Sequence, residues 1–517
     1  MPTVYKTFIV VFLVALIVFA VGRPLFIRLM APEDFARRRN LWLLLCATSF
    51  LAPNIWLYVL IAAPAILIAS KRDPNPVALY FFVLLAVPPV KVAIPTFGLI
   101  GQVFPMDHLR LLSLTLLLPL AMRLSAERAA ARLQGLGADS DKRMSAVDVL
   151  LLSYLGLQVM LMFPYDSFTS TGRRILLLAI DVVLPYFVVS RACRSRAAIA
   201  EAMAAFVIAM LVLAPLAVYE FFRGWMLFAI IEEHWDAARL YFPLYRGPFL
   251  RAQTTAGHSI FLGYFMAMAF GMWLYLKNRI HEKGWQWLCI LTLMAGLIAA
   301  LARGPWVGAV GVFFVYLLLG PKAASRSLKG MAMLGALVAV GLLSPWGEQI
   351  LDYLPFIGSV DLHTITYRQQ IAAGSWLLIQ QNPFVGSPHY MAYMEQFRTG
   401  EGIIDLVNTY AGVALSSGLV GFGLFVGVFL VAMWKAWRVV RHLSPLDPDA
   451  ALMGGALIAC VVGTLLVLAT TSFLHAMPYF AWALAGLTMA YVRSSAVERQ
   501  ESELPARTAV RVERALP

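Results

Sequence analysis

Apolar runs recur along the whole chain, separated by short polar segments. Runs near 7–27, 75–92, 107–123, 147–164, 173–190, 200–222, 258–276, 285–301, 304–320, 330–345, 406–434, 450–471 and 478–492 each predict one membrane-crossing helix, for which roughly 17–25 residues suffice. A further run, 41–70, is broken by Pro53-Asn54 and reads either as one bent helix or as a hairpin of two short ones. The pattern predicts about 14 spans. One polar stretch, Pro345 to Leu406, breaks the rhythm. Its aromatic and apolar residues (Tyr353, Leu354, Phe356, Ile357, Trp376, Leu377, Leu378, Phe384) predict an ordered cap over a site in the membrane, not disorder.

Charge orients the pattern. Segments 123–143, 191–196, 277–283, 322–329 and 435–441 are short and basic, and they alternate with the other loops. By the positive-inside rule they are cytoplasmic, together with the tail from Arg493. Lys71 falls on their side and Lys91 does not. The long stretch has no lysine, and its acids (Glu348, Asp352, Asp361, Glu395, Glu401, Asp405) outnumber Arg368 and Arg398, so it faces outward. Segment 28–40, with Arg28 and Arg37 to Arg39, is outside if 41–70 is one span. A hairpin brings it inside and puts Lys6 outside.

Composition sets the class. Hydrophobic residues make 61% of the chain and charged residues 13%, against about 25% charged in soluble domains. Topology accounts for most of the net charge of +13, and attraction to anionic lipid adds to it. The basic residues are split among several loops, which excludes a nucleic-acid surface. The run from Thr7 to Ala20 lacks a small-x-small site and reads as an uncleaved first span. Cys46, Cys193, Cys289 and Cys460 lie in or beside spans and form neither a disulfide framework nor a metal site. Residues 494–517 read as a flexible tail.

Candidate chemistry gathers on the outer side. His108, His234, His258, His363, His389 and His475 fall there, and only His281 and His442 are cytoplasmic. Arg251 and His258, seven residues apart at the mouth of a helix, suit one anionic group, to which the helix N-terminus adds free N–H groups. Interfacial snorkelling of Arg251 and capping by Ser259 are the alternative. Arg303-Gly304-Pro305-Trp306 is a turn at the outer face; an arginine at membrane depth marks a ligand or counter-ion, and guanidinium matches phosphate oxygens. Within the cap, the segment from Thr366 to Gln381 predicts an amphipathic helix carrying Arg368 and stopped by Asn382-Pro383, with Ile371, Trp376, Leu378 and Ile379 on the membrane surface. His389 is either a surface histidine or an acid/base group. Asn408 and Tyr410 stand in the first turn of the next span, and Asp405 is either its N-cap or a site carboxylate.

The order of these pieces resembles the bacterial O-antigen ligase and O-antigen or exopolysaccharide polymerase superfamily. The resemblance covers roughly 245–435: Arg251/His258, Arg303-Gly304, Arg368…Trp376…Asn382-Pro383…Gly386, and Asn408-Thr409-Tyr410…Gly418-Leu419-Val420-Gly421. In that family the last helix opens His-Asn, followed at a fixed interval by Gly. Here Asn408 and Gly418 keep the interval, and Val407 replaces the histidine.

The resemblance implies a polytopic all-α protein of GT-C-like architecture in the bacterial inner membrane. Its parts are N-terminal helices (1–244), a core (245–435) with periplasmic loop 346–405, C-terminal helices (436–493) and the tail 494–517. It implies glycosyl transfer from undecaprenyl-diphosphate-linked oligosaccharide in exopolysaccharide or lipopolysaccharide synthesis, with no cofactor or metal. Arg251, His258, Arg303, Arg368, Asn408 and Tyr410 bind the donor diphosphate, and His389 or Asp405 serves as base. Membrane lipids, a flippase and a chain-length regulator are the implied partners. Val407 moves the reading from a ligase, which delivers glycan to lipid A-core, toward a polymerase. A lipid-linked glycan flippase is the rival of another class, for which Asp181, Glu220 and Lys91 are the charges to weigh.

Overall fold

Proline, glycine and buried charge decide where the helices begin and end. The computed structural model describes residues 3–95, 102–134, 144–320, 323–343, 362–398 and 404–513. The calls on Glu348, Asp352, Asp361, Glu401 and the aromatic stretch 353–357 lie outside these residues. Helices carry nearly all the regular structure, and the strands among the described residues form two small antiparallel hairpins, Val92–Pro95 with Gln102–Met106 and Tyr245–Arg246 with Phe249–Leu250. Eight helices among the described residues are long and apolar enough to cross a membrane; Ala146–Met162, Lys283–Ala299 and Arg303–Leu319 are shorter apolar helices. The chain is an all-α, multi-pass membrane protein.

Two helices, Arg196–Arg223 and Ser259–Leu276, are buried on nearly every side and form the centre. Small residues let their neighbours approach closely, as expected where lipid removes the hydrophobic drive between helices. A Cβ at Gly263 would meet Pro305 at 2.8 Å, one at Gly271 would meet Val312 at 2.6 Å, and one at Gly463 would meet Val312 at 2.3 Å. These contacts lock Ser259–Leu276 against Arg303–Leu319, and Arg303–Leu319 against Pro448–Leu468. Leu13, Ile17, Leu60 and Leu291 stay exposed on the outer helices, on surface suited to lipid.

The 41–70 run is a hairpin. Helix Pro32–Leu51 ends before Pro53, and Ile55–Arg72 starts with the Asn54 side chain accepting from Leu57 N at 2.9 Å. Buried Arg38 pairs with Asp73 at 2.7 Å and Glu201 at 2.8 Å, and Arg28 pairs with Glu282. A buried guanidinium needs its carboxylates. These pairs therefore bring segments 28–40, 71–75, 196–201 and 282 to one end of the molecule. Arg194–Glu127, Arg196–Asp447, and Asp148 with Arg191 and Arg493 extend the same end. Lys6, near the start of helix Thr3–Leu29, lies at the other end from Arg28.

One expected span is interrupted, and two others run on through a π-helical turn. Helix Pro76–Val83 gives way to irregular chain before Pro88-Pro89, and side chains take up its buried carbonyls: Thr255 Oγ1 donates to Leu85 O at 2.6 Å and His108 Nε2 to Val83 O at 2.9 Å. Irregular backbone at membrane depth is tolerated where protein groups satisfy it in this way. His108 Nδ1 accepts from Tyr58 OH at 2.7 Å, so this histidine is a satisfied core residue. The two π-helical turns are Ser113–Leu117, within His108–Ala131, and Ala179–Val183, within Phe168–Ala192. Asp181, in the second, takes two hydrogen bonds from Arg110 and one from Tyr479. Past Arg493 the last helix continues to Glu513 in a stretch that includes the helix formers Ala, Glu and Arg.

Candidate functional site

The end opposite the basic one is organised by carboxylates that hold backbone amides. Glu220 accepts from Leu227 N at 2.9 Å, Gln253 N at 2.8 Å and Thr254 N at 2.9 Å. Glu232 accepts from Leu240 N at 2.6 Å and Tyr241 N at 2.9 Å, and Tyr241 OH donates to Thr254 O at 2.6 Å. Glu220, a charge to weigh for transport, is thus the anchor of the loop after its helix. Ala252 N donates to Ala299 O at 3.0 Å and Arg246 to Leu301 O at 2.8 Å. The chain carrying Arg251 therefore lies along the turn that carries Arg303.

His258 enters the same mouth as the N-cap of helix Ser259–Leu276, its Nδ1 accepting from Ile260 N at 3.2 Å. The Phe261 ring stands 5.3 Å from His258 and 5.4 Å from His475. His475 belongs to the loop between Pro448–Leu468 and Met477–Glu513, and this loop is the hub of the site. Thr470 fills the space beside Gly304, where a Cβ would meet its Oγ1 at 2.1 Å. Thr471 O accepts from Thr409 Oγ1 at 2.6 Å, and Ser472 Oγ donates to Asp405 at 2.7 Å. Lys91 faces His475 from the end of the interrupted fourth helix. Burial, then the charge of Lys91, pulls the His475 imidazole down to about 3.

Arg251, His258, Arg303 and Asp405 therefore border one region, joined through the 469–476 loop. Asp405 is half cap and half clasp: Oδ1 accepts from both Val407 N, at 3.0 Å, and Ser472. The Asn408 side chain is the N-cap of the following helix, taking Tyr410 N at 2.9 Å and Ala411 N at 3.2 Å, and Tyr410 OH donates to Leu465 O at 2.6 Å. Asn408 thus serves the helix start, and Tyr410 ties it to helix Pro448–Leu468. Arg368 is exposed on helix Leu362–Gln381, next to Tyr367, which stands beside Asp405. That helix is held by a small outer core of Ile371, Met394, Leu406 and Leu415, with Leu378 and Ile379 packed on it. Of the face expected on the membrane surface, only Trp376 stays exposed, beside Leu377. His389 stands against Tyr165 and 3.7 Å from Asp166, on the loop after Ala146–Met162.

Backbone strain marks the same region. Among the described residues the non-glycine positions with positive φ are Asp236, Thr254, Leu301, Val407 and His475, and all five lie at this end. Thr254 falls between Arg251 and His258, Leu301 precedes Arg303, and Val407 adjoins Asn408. Positive φ at β-branched Thr254 and Val407 is a true outlier. Strain of this kind persists where the surroundings over-determine it, and it clusters at ligand sites.

Sequence reading passed over Thr470, Ser472, His475 and Lys91 as site residues. The available signal was a polar Thr-Thr-Ser run closed by histidine between two apolar helices. Among the described residues no three of His, Cys, Asp or Glu gather as a metal cage requires. No protein-family model matches the sequence, and no curated protein matches it.

Proposed function

We propose that the protein is a glycosyltransferase of the bacterial inner membrane that polymerises undecaprenyl-diphosphate-linked oligosaccharide repeat units on the periplasmic face. In this reading the chain has a GT-C-like architecture of about 14 spans, the hairpin 32–72 among them. The basic end is cytoplasmic and the opposite end periplasmic, by the positive-inside rule.

One observation carries the reading: Arg251, His258 and Arg303 border a single region at the helix mouths, beside Lys91. A diphosphate leaving group develops negative charge as the glycosidic bond breaks, and fixed cations outside bulk water stabilise it. A prenyl chain can remain in lipid while the sugar lies under the outer segment 362–398. A donor activated beforehand also supplies the energy where nucleotide sugars are absent. Val407 has no group to take a proton, which favours the polymerase over the ligase within this reading.

Product size tests it. Purified protein receives lipid-linked oligosaccharide from its own host, alongside an Arg303→Ala control. A ladder of repeat multiples, absent in the control, is the expected result. No extension and no release of lipid diphosphate from folded protein would put transport first. Glycan moved instead onto lipid A-core would make it a ligase.

A further inference from the structure

Building on the glycosyl-transfer reading, we propose that His475 takes the proton from the acceptor hydroxyl, while His258 is held as a hydrogen-bond donor to the departing diphosphate. The two imidazoles are distinguished by their partners. Ile260 N–H donates to His258 Nδ1 at 3.2 Å. A nitrogen that accepts carries no proton, so the neutral ring is protonated on Nε2 and can only donate there. That N–H suits a phosphoryl oxygen. His475 has no such anchor. Its Nδ1 is buried without a hydrogen-bond partner, so no protein group among the described residues dictates its tautomer. One ring nitrogen can keep a proton while the other offers its lone pair.

Position favours His475 over the other bases. Its loop touches Gly304, Asp405 and Thr409, so the imidazole is carried by a segment that meets the arginine turn, the acidic turn and the start of the next span. His475 itself has φ +54°, a conformation that L side chains rarely adopt. The carboxylate of Asp405 already serves Val407 N and Ser472 Oγ, and His389 stands with Tyr165 and Asp166.

The electrostatics tie the base to the donor. Burial and the Lys91 ammonium keep His475 neutral, and Arg251 holds the neighbouring His258 neutral in the same way. An imidazole depressed that far is a weak base. A bound diphosphate brings negative charge among these cations and raises its proton affinity. Proton abstraction is thereby coupled to the presence of donor. In the step itself, a ring nitrogen of His475 takes the hydroxyl proton and the acceptor oxygen bonds the anomeric carbon. The bond from that carbon to the diphosphate oxygen breaks, and its electron pair leaves with the diphosphate.

The test uses the full chain in lipid with lipid-diphosphate-linked oligosaccharide extracted from the host membrane. His475→Ala should lower kcat on the order of 10²-fold with the donor KM unchanged, and added imidazole should restore part of it. His475→Gln should be as slow and should not respond to imidazole. His258→Gln should raise the donor KM instead. Wild-type protein that makes no product overturns the glycosyl-transfer reading. Active wild type with a His475→Gln variant near its rate overturns only the base assignment. Loss of folding in both His475 variants, with no imidazole rescue, also overturns the assignment in favour of a structural role.

Discussion

Gly418 lies directly beneath the Phe384 carbonyl: a Cβ built on Gly418 would stand 2.1 Å from that oxygen. Helix Thr409–Leu443 breaks here, with Gly418 at φ +65°. The break frees two amides and a carbonyl, and the outer chain fills them. Leu419 N donates to Pro383 O at 2.8 Å, Val420 N to Phe384 O at 3.2 Å, and Ser387 N to Leu415 O at 2.7 Å. Gly386 mirrors the arrangement, its Cβ position 2.5 Å from Leu415 O. The outer segment is stitched into a membrane helix.

Gly418→Ala should therefore loosen the cap. The positive-φ extended backbone, essentially a glycine conformation, costs about 1–3 kcal/mol for an L residue, and the clash adds to it. Thermal unfolding in detergent should show a lower midpoint, with faster proteolysis in the segment 382–398. Gly423→Ala, which meets nothing within 4 Å, is the control and should behave as wild type. Equal midpoints for the two variants would show that the stitch contributes nothing.

Arg303 separates charge from geometry. Arg303→Ala should reduce transfer on the order of 10²-fold, the usual consequence of losing one donor to a developing anion. Arg303→Lys keeps the charge but not the planar fork, and should recover only part of the rate. Full activity in the lysine variant would mean that the site reads charge alone.

Asp405 distinguishes a cap from a base. Asp405→Asn keeps an oxygen for Val407 N and Ser472 Oγ, so a positioning role predicts activity within a few-fold of wild type. Asp405→Ala removes both bonds and should cost about 1–2 kcal/mol of stability. An inactive but fully folded asparagine variant would return Asp405 to the chemistry.

Acid should destabilise the protein through His475. Its folded value, about 3, lies below the ordinary 6.5, so between these values the unfolded chain binds the extra proton. The contribution is complete above pH 6.5 and is lost as pH falls toward 3. Between about pH 7 and about pH 4, the midpoint of wild type should fall more steeply than that of His475→Gln. Parallel curves would mean that the imidazole is not buried neutral.

Several features could be read from the chain alone because local chemistry carries them. Pro53-Asn54 broke a run that was too long, Asn382-Pro383 ended the cap helix, and Arg303-Gly304 opened a helix where expected. The choice between bend and hairpin at 41–70 was not local. It depended on Arg38 finding Asp73 and Glu201, a pairing that hydropathy does not register. The interruption after Val83 was hidden for the same reason: its carbonyls are satisfied by Thr255 and His108, from other parts of the chain.

The sequence by itself determined the class, the basic loops that gather at one end, and the placing of Arg251, His258 and Arg303 at helix mouths away from them. Apolar run length, charge, proline and glycine act over a few residues, and each can be read where it stands. Only the tertiary structure decided which of these groups meet. The 469–476 loop joins Gly304, Asp405, Thr409, Lys91 and His258 because glycine contacts at Gly263, Gly271 and Gly463 lay three helices closely side by side. Helix neighbours follow from surface fit, and no periodicity along one strand of sequence encodes that fit.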